Sequence, residues 1–163
     1  MNTPAAGQFL DVFTTEDLRS IQSAKLGRDL QLTHGMDLKE QQPWGIHTDY
    51  VKEDLVPDLA ILIPLNTEPL PTHTVMFDQI CCDSFESYLA THAPIDHNAV
   101  DLHDGLMSHE TVEQLSHVSL QGAYAWVPGS VIYWDRRLLH ASDNFISSGL
   151  MQKQALVLFT NLD

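Results

Sequence analysis

The residues with the most chemistry to offer are a histidine and an aspartate two positions apart, His47 and Asp49, in Trp44-Gly45-Ile46-His47-Thr48-Asp49-Tyr50. Far downstream, His140 stands in Arg136-Arg137-Leu138-Leu139-His140-Ala141-Ser142. On an extended strand, side chains at i and i+2 point to the same face. A later strand that brings His140 to that face completes a set of two imidazoles and one carboxylate. Such a set grips one side of a divalent metal and leaves the remaining positions open for reaction. With nine histidines in 163 residues, a lone His-x-Asp pair has little weight. The elements around it decide.

From Pro43 onward the chain reads as short strands. Trp44 to Val51 carries the His-x-Asp pair, and Asp58 to Leu65 is a nearly continuous apolar run of strand length. A proline-punctuated loop follows, and β character resumes over Thr72 to Gln79. Further strands are expected near 123–127, 130–134 and 137–141, with a Pro128-Gly129 turn between the first two and a last buried strand over Gln152 to Thr160. Ahead of this core, residues 1–8 are expected to fray. A short amphipathic helix is expected at about 15–26, and an alternating strand interrupted by Gly35 at about 29–38. Residues 9–42 thus form a helix and a lead-in strand, and 43–79 with 119–160 form the β core. The stretch 80–118 is a partly helical insertion or lid, with helices expected at 83–90 and 110–115. One helix followed by seven or eight strands argues for a single, mainly β domain over 1–163, a mostly antiparallel barrel or sandwich rather than βαβ units.

Composition narrows the function. Eight Lys+Arg against 22 Asp+Glu give a net charge of −14, which argues against an unaided nucleic-acid surface and against anionic membranes. Apolar residues make up 44%, as in an ordinary globule, and no apolar run suits a signal peptide or a membrane span, so a cytoplasmic location is expected. Cys81 and Cys82 are adjacent, an awkward geometry for a bridge, and are expected to be reduced, buried thiols. The insertion holds His92, His97, His103, His109 and His117, read as solvated or lid residues. The group His97, Asp101 and His103 is the one alternative there with metal-ligand character.

Two imidazoles and one carboxylate with open positions are the ligand set of non-haem Fe(II) oxygenases. The co-substrate most often paired with that set, 2-oxoglutarate, has a far carboxylate that needs a buried cation. Lys153 opens the otherwise apolar last strand, thirteen residues after His140, and fits that need. The order of His47-x-Asp49, Gly129 eleven residues ahead of His140, and a basic residue on the next strand resembles the double-stranded β-helix (jelly-roll, cupin-like) fold of the Fe(II)/2-oxoglutarate-dependent oxygenases, over about residues 43–160. The phrasing Ile46-His47-Thr48-Asp49, Ile63-Pro64-Leu65-Asn66, Thr74-Val75-Met76-Phe77, Trp134-Asp135 and Leu139-His140 is similar to small, phage- or marine-bacterium-type members.

The resemblance implies Fe(II) held by His47, Asp49 and His140, with 2-oxoglutarate and O2 as co-substrates. It implies oxidative decarboxylation of the keto acid to succinate and CO2, coupled to oxidation, most simply hydroxylation, of a small molecule or a peptide side chain. Two departures stand out. Leu150 occupies the position where many members have arginine, and Ala155 replaces the serine two residues after the cation. Thr74, Tyr50 and Trp44 are the candidates to complete the carboxylate site, and Arg136 and Arg137 are the backup cations. Two other readings use the same residues: a non-catalytic β-helix domain that binds or builds an assembly, and a lyase or hydrolase with another divalent metal on the same three ligands. The oligomeric state is not legible in the sequence.

Overall fold

The computed structural model describes residues 6–10, 31–51, 57–95 and 98–161. Among the described residues, eight strands make two antiparallel sheets. The larger has the order β1-β6-β3-β8-β2, from β1 (Ala6–Leu10), β6 (Ser130–Asp135), β3 (Pro57–Pro64), β8 (Lys153–Asn161) and β2 (Gln31–Glu40). The smaller has the order β5-β4-β7, from β5 (Leu120–Ala125), β4 (His73–Ile80) and β7 (Leu138–Ser142). The chain is mainly β, a jelly roll of the double-stranded β-helix type.

Period-two alternation sorts each strand's residues between faces. Leu62 of β3, Met76 of β4, Ile132 and Trp134 of β6, Leu138 of β7 and Val157 of β8 meet between the sheets in one buried cluster. Their odd-numbered neighbours on β4 and β7, Val75, Phe77, Leu139 and Ala141, face the other way. They share a second cluster with the helices α1 (Phe85–Thr91), α2 (Ala99–Gly105) and α3 (Val112–Leu115). The far face of the large sheet has its own buried patch of Leu59, Ile61, Val131 and Leu158. At about 25 cal/mol per Å² of apolar surface, these clusters supply the main driving force for the fold.

Several sequence expectations are met at the level of elements. The helices expected at 83–90 and 110–115 correspond to α1 and α3, and each has a local cause. Ser84 caps α1 by accepting from Ser87 N–H at 3.2 Å. Thr111 and Gln114 form a capping box on α3. α2, between them, was not expected.

Three readings need correction. The expected fraying of residues 1–8 is wrong for Ala6 onward, because β1 pairs with β6 from Ala6↔Trp134 to Leu10↔Ser130. An open ladder edge on β6 recruits a segment whose own propensity for strand is weak. Gly35 does not break β2, which runs as a single strand on β8 with an irregularity between Leu32 and His34. Trp44 to Val51 is not a ladder strand: its pairing is one bridge, His47↔His140. The expected helix at 15–26 lies outside the described residues. Among the described residues, no helix is long and apolar enough to cross a membrane.

Candidate metal centre

His140 sits on β7 at an even-numbered, inward position between Leu138 and Ser142, and is 4% exposed. His47 reaches it through a reciprocal backbone pair, His47 N–H to His140 O at 3.0 Å and His140 N–H to His47 O at 2.9 Å. The two rings therefore lie side by side, with centroids 4.2 Å apart. Asp49 follows two residues later, and its Oδ2 lies 3.3 Å from His140 Nε2. One ligand atom from each of His47, Asp49 and His140 falls within 4.8 Å of the others, and among the described residues this is the group of three or more that could hold a metal ion.

The loop is fixed at several points. Ser142 N–H donates to Trp44 O at 3.1 Å, Ile46 N–H to Glu110 Oε1 at 3.1 Å, and Thr48 Oγ1 to Arg136 O at 2.7 Å. A Cβ at Gly45 would sit 2.6 Å from Glu110 Oε1, so a side chain there would push that carboxylate aside.

The donor set fits a divalent metal. His47 Nδ1 lies 2.8 Å from Gly45 O and His140 Nδ1 lies 3.0 Å from Leu138 O. A carbonyl only accepts, so each Nδ1 carries the proton and each Nε2 keeps its lone pair for a metal. Burial pushes the His140 pKa down to about 4, Asp49 opposes this and His47 adds to it, so the ring is neutral as ligation requires. Trp134 Nε1 donates to Asp49 Oδ2 at 2.9 Å, which fixes the carboxylate. Arg136 is 1% exposed, and its Nη2 donates to the Asp49 carbonyl at 3.1 Å.

A cavity of about 90 Å³ opens on these ligands, with Leu62, Val157 and Phe159 among its apolar walls and Thr74, Trp44 and Glu40 among its other neighbours. Trp44 is 46% exposed and Thr74 is buried, with its Oγ1 accepting from Trp126 Nε1 at 2.9 Å. Tyr50 does not border this cavity; it lines a separate cleft of about 510 Å³ that also includes His47. Neither Arg136 nor Arg137 borders the cavity, and Arg137 pairs with Asp135 at 2.5 Å.

Lys153 is 2% exposed on the inward face of β8. Its Nζ lies 3.3 Å from Glu40 Oε2, 3.5 Å from Thr72 Oγ1 and 4.3 Å from the centre of the Trp126 ring. Burial lowers its pKa below the ordinary lysine value, with Glu40 and Asp143 acting in the opposite sense. The buried cation expected on the last strand is therefore in place, and a carboxylate of the chain, Glu40, already faces it.

Glu40, Trp134 as a donor and the Thr72–Asp143 pair escaped the sequence reading. One signal existed: Glu40 is a charge closing an alternating strand. Of the insertion's histidines, His92 stacks on Tyr88 with ring centres 4.0 Å apart, and His103 pairs with Asp104 at 2.8 Å. His97 lies outside the described residues. Both cysteines are free, but only Cys81 is buried; Cys82 is exposed, against the expectation of two buried thiols.

No protein-family model and no curated protein matches the sequence. Solved structures do. The non-heme alpha ketoglutarate dependent carbocyclase SnoK from nogalamycin biosynthesis aligns with 89% of this chain and 55% of its own, at 15% identity and a TM-score of 0.51. The non-heme alpha ketoglutarate dependent epimerase SnoN from the same biosynthesis aligns with 91% of this chain and 53% of its own, at 9% identity and a TM-score of 0.54. The chain thus spans about half the length of either structure, and what it shares with them is the jelly-roll fold.

Proposed function

We propose that the protein is a non-haem Fe(II)- and 2-oxoglutarate-dependent oxygenase, acting as a hydroxylase on a small molecule or a peptide side chain. The observation that carries this reading is the convergence of His47, Asp49 and His140 on one small cavity, with both histidine tautomers fixed for ligation through Nε2. The fold likeness is consistent with it. When bound, the iron and the keto acid supply O2 activation.

The chain's residues do the rest. His47 and His140 hold the metal through Nε2, and Asp49 holds it through its carboxylate. Trp134 keeps that carboxylate aimed, and Arg136 fixes the backbone beneath it. Lys153 receives the far carboxylate of the co-substrate. Thr74, whose oxygen accepts from Trp126, has its hydroxyl hydrogen to donate to the same group. Leu62, Val157 and Phe159 exclude water, which strengthens each of these electrostatic contacts. The separate cleft that includes His47, with Tyr50 on its wall, offers the substrate a route to the metal.

Fe(II) and 2-oxoglutarate added without oxygen should give the weak visible charge-transfer band of a chelated keto acid. Absence of that band, with no 2-oxoglutarate binding by calorimetry, defeats the reading. One observation favours a second: the Glu40–Lys153 contact suits an enzyme with another divalent metal on the same ligands and no dicarboxylate partner. Metal analysis of protein purified without oxygen separates the two.

A further inference from the structure

Lys153 is screened from the cavity. Glu40 borders it and Lys153 does not, although both are buried. Glu40 Oε2 lies 3.3 Å from Lys153 Nζ and accepts from Ser142 Oγ at 2.6 Å. On the other side of the lysine, Asp143 adds a second negative charge, held by Thr72 Oγ1 at 2.6 Å and His73 N–H at 2.8 Å. The rings of Trp126 and Phe145, at 4.3 and 4.9 Å from Nζ, close further sides. A carboxylate coming from the metal side therefore meets Glu40 before it meets the cation. With Glu40 in place it would face like charge in a desolvated site, which is strongly unfavourable.

We propose that Glu40 is an internal occupant of the co-substrate's far-carboxylate site, and that a dicarboxylic keto acid binds by displacing it from Lys153 and Ser142. The inference rests on the reading of Lys153 given above. Glu40 is placed to leave. It is the last residue of the edge strand β2, stands opposite Lys153 in the β2–β8 register, and is followed by exposed Gln41 and Gln42. An outward turn of its side chain exchanges two buried contacts for water and breaks no ladder bond. Glu40 is then a specificity determinant. It weakens every ligand that needs Lys153 and leaves alone a keto acid that does not.

The test compares two ligands by calorimetry on the Fe(II)-loaded protein without oxygen: 2-oxoglutarate, and pyruvate, which has the keto acid end but no far carboxylate. Glu40→Gln keeps the shape and removes the charge. Its Kd for 2-oxoglutarate should fall by about tenfold or more, the gain for a site otherwise open about a tenth of the time or less, while its Kd for pyruvate stays unchanged. Glu40→Asp, one methylene shorter, should fall between wild type and Glu40→Gln, and keeps the test alive if the glutamine variant folds poorly. Equal gains for both ligands, no gain, or weaker 2-oxoglutarate binding would overturn the displacement and leave the proposed function standing. No 2-oxoglutarate binding by any of the three proteins would overturn both.

Discussion

Replacing Lys153 by methionine separates charge from volume at the buried cation on the inward face of β8. Methionine fills much of the lysine stem's space beside Trp126 and Phe145, so little cavity is expected. What disappears is the partner of Glu40. At 3.3 Å the pair's attraction is about 5 kcal/mol for an effective dielectric of about 20. Removing one member of a buried pair costs about 3–5 kcal/mol. The lower end is expected, since Glu40 closes its strand and can turn to water, whereas Asp143 stays bonded to Thr72 and His73. A loss of about 3 kcal/mol lowers the melting temperature by roughly 10 °C for a chain of this size. Urea unfolding at neutral pH reads it as a lower midpoint at unchanged slope. In Lys153→Met/Glu40→Gln the unpaired charge is gone, and about 2 kcal/mol should return. The reasoning is refuted if the single variant loses less than about 1 kcal/mol, or if the double variant is no more stable than the single.

Trp134→Phe removes the donor to Asp49 Oδ2, and metal affinity should drop by about tenfold in competition with a chelator. Gly45→Ala drives Glu110 off the Ile46 N–H and should cost about 1 kcal/mol in urea unfolding. The metal-free protein should lose stability in mild acid. His140 stays neutral in the folded chain down to about pH 4, whereas the unfolded chain takes up a proton below its ordinary value of 6.5. Stability is therefore full above about pH 6.5, falls as pH drops toward 4, and levels off below, a change of about 3 kcal/mol that His140→Gln should remove. Urea midpoints measured at a series of pH values check it.

The sequence showed best what depends on local pattern. The apolar run 58–65 and the buried strand expected over 152–160 became β3 and β8, and the inward positions of β8 put Lys153 inside. His47, Asp49 and His140 could be named as a group because type and order survive without coordinates. What was hidden depends on partners distant in the chain. Ala6–Leu10 has little strand character and becomes β1 through pairing with β6. Trp44 to Val51 has the composition of a strand and pairs only at His47. Glu40 and Lys153 are 113 positions apart, and only the β2–β8 register makes them neighbours.

That register also bears on how the metal and the lysine are connected. β7 supplies His140 to the metal group and, two residues on, Ser142 to Glu40. The Ser142 backbone N–H holds Trp44, which lies between Glu40 and His47 in the chain. One side of one strand thus fixes both ends of the seven-residue path from Glu40 to His47. When Glu40 leaves Lys153 and Ser142, the backbone bonds from β7 to Trp44 and His47 have no reason to break. The side-chain contact can open while the ligand segment stays in place, so Glu40→Gln should change keto-acid affinity without changing affinity for the metal.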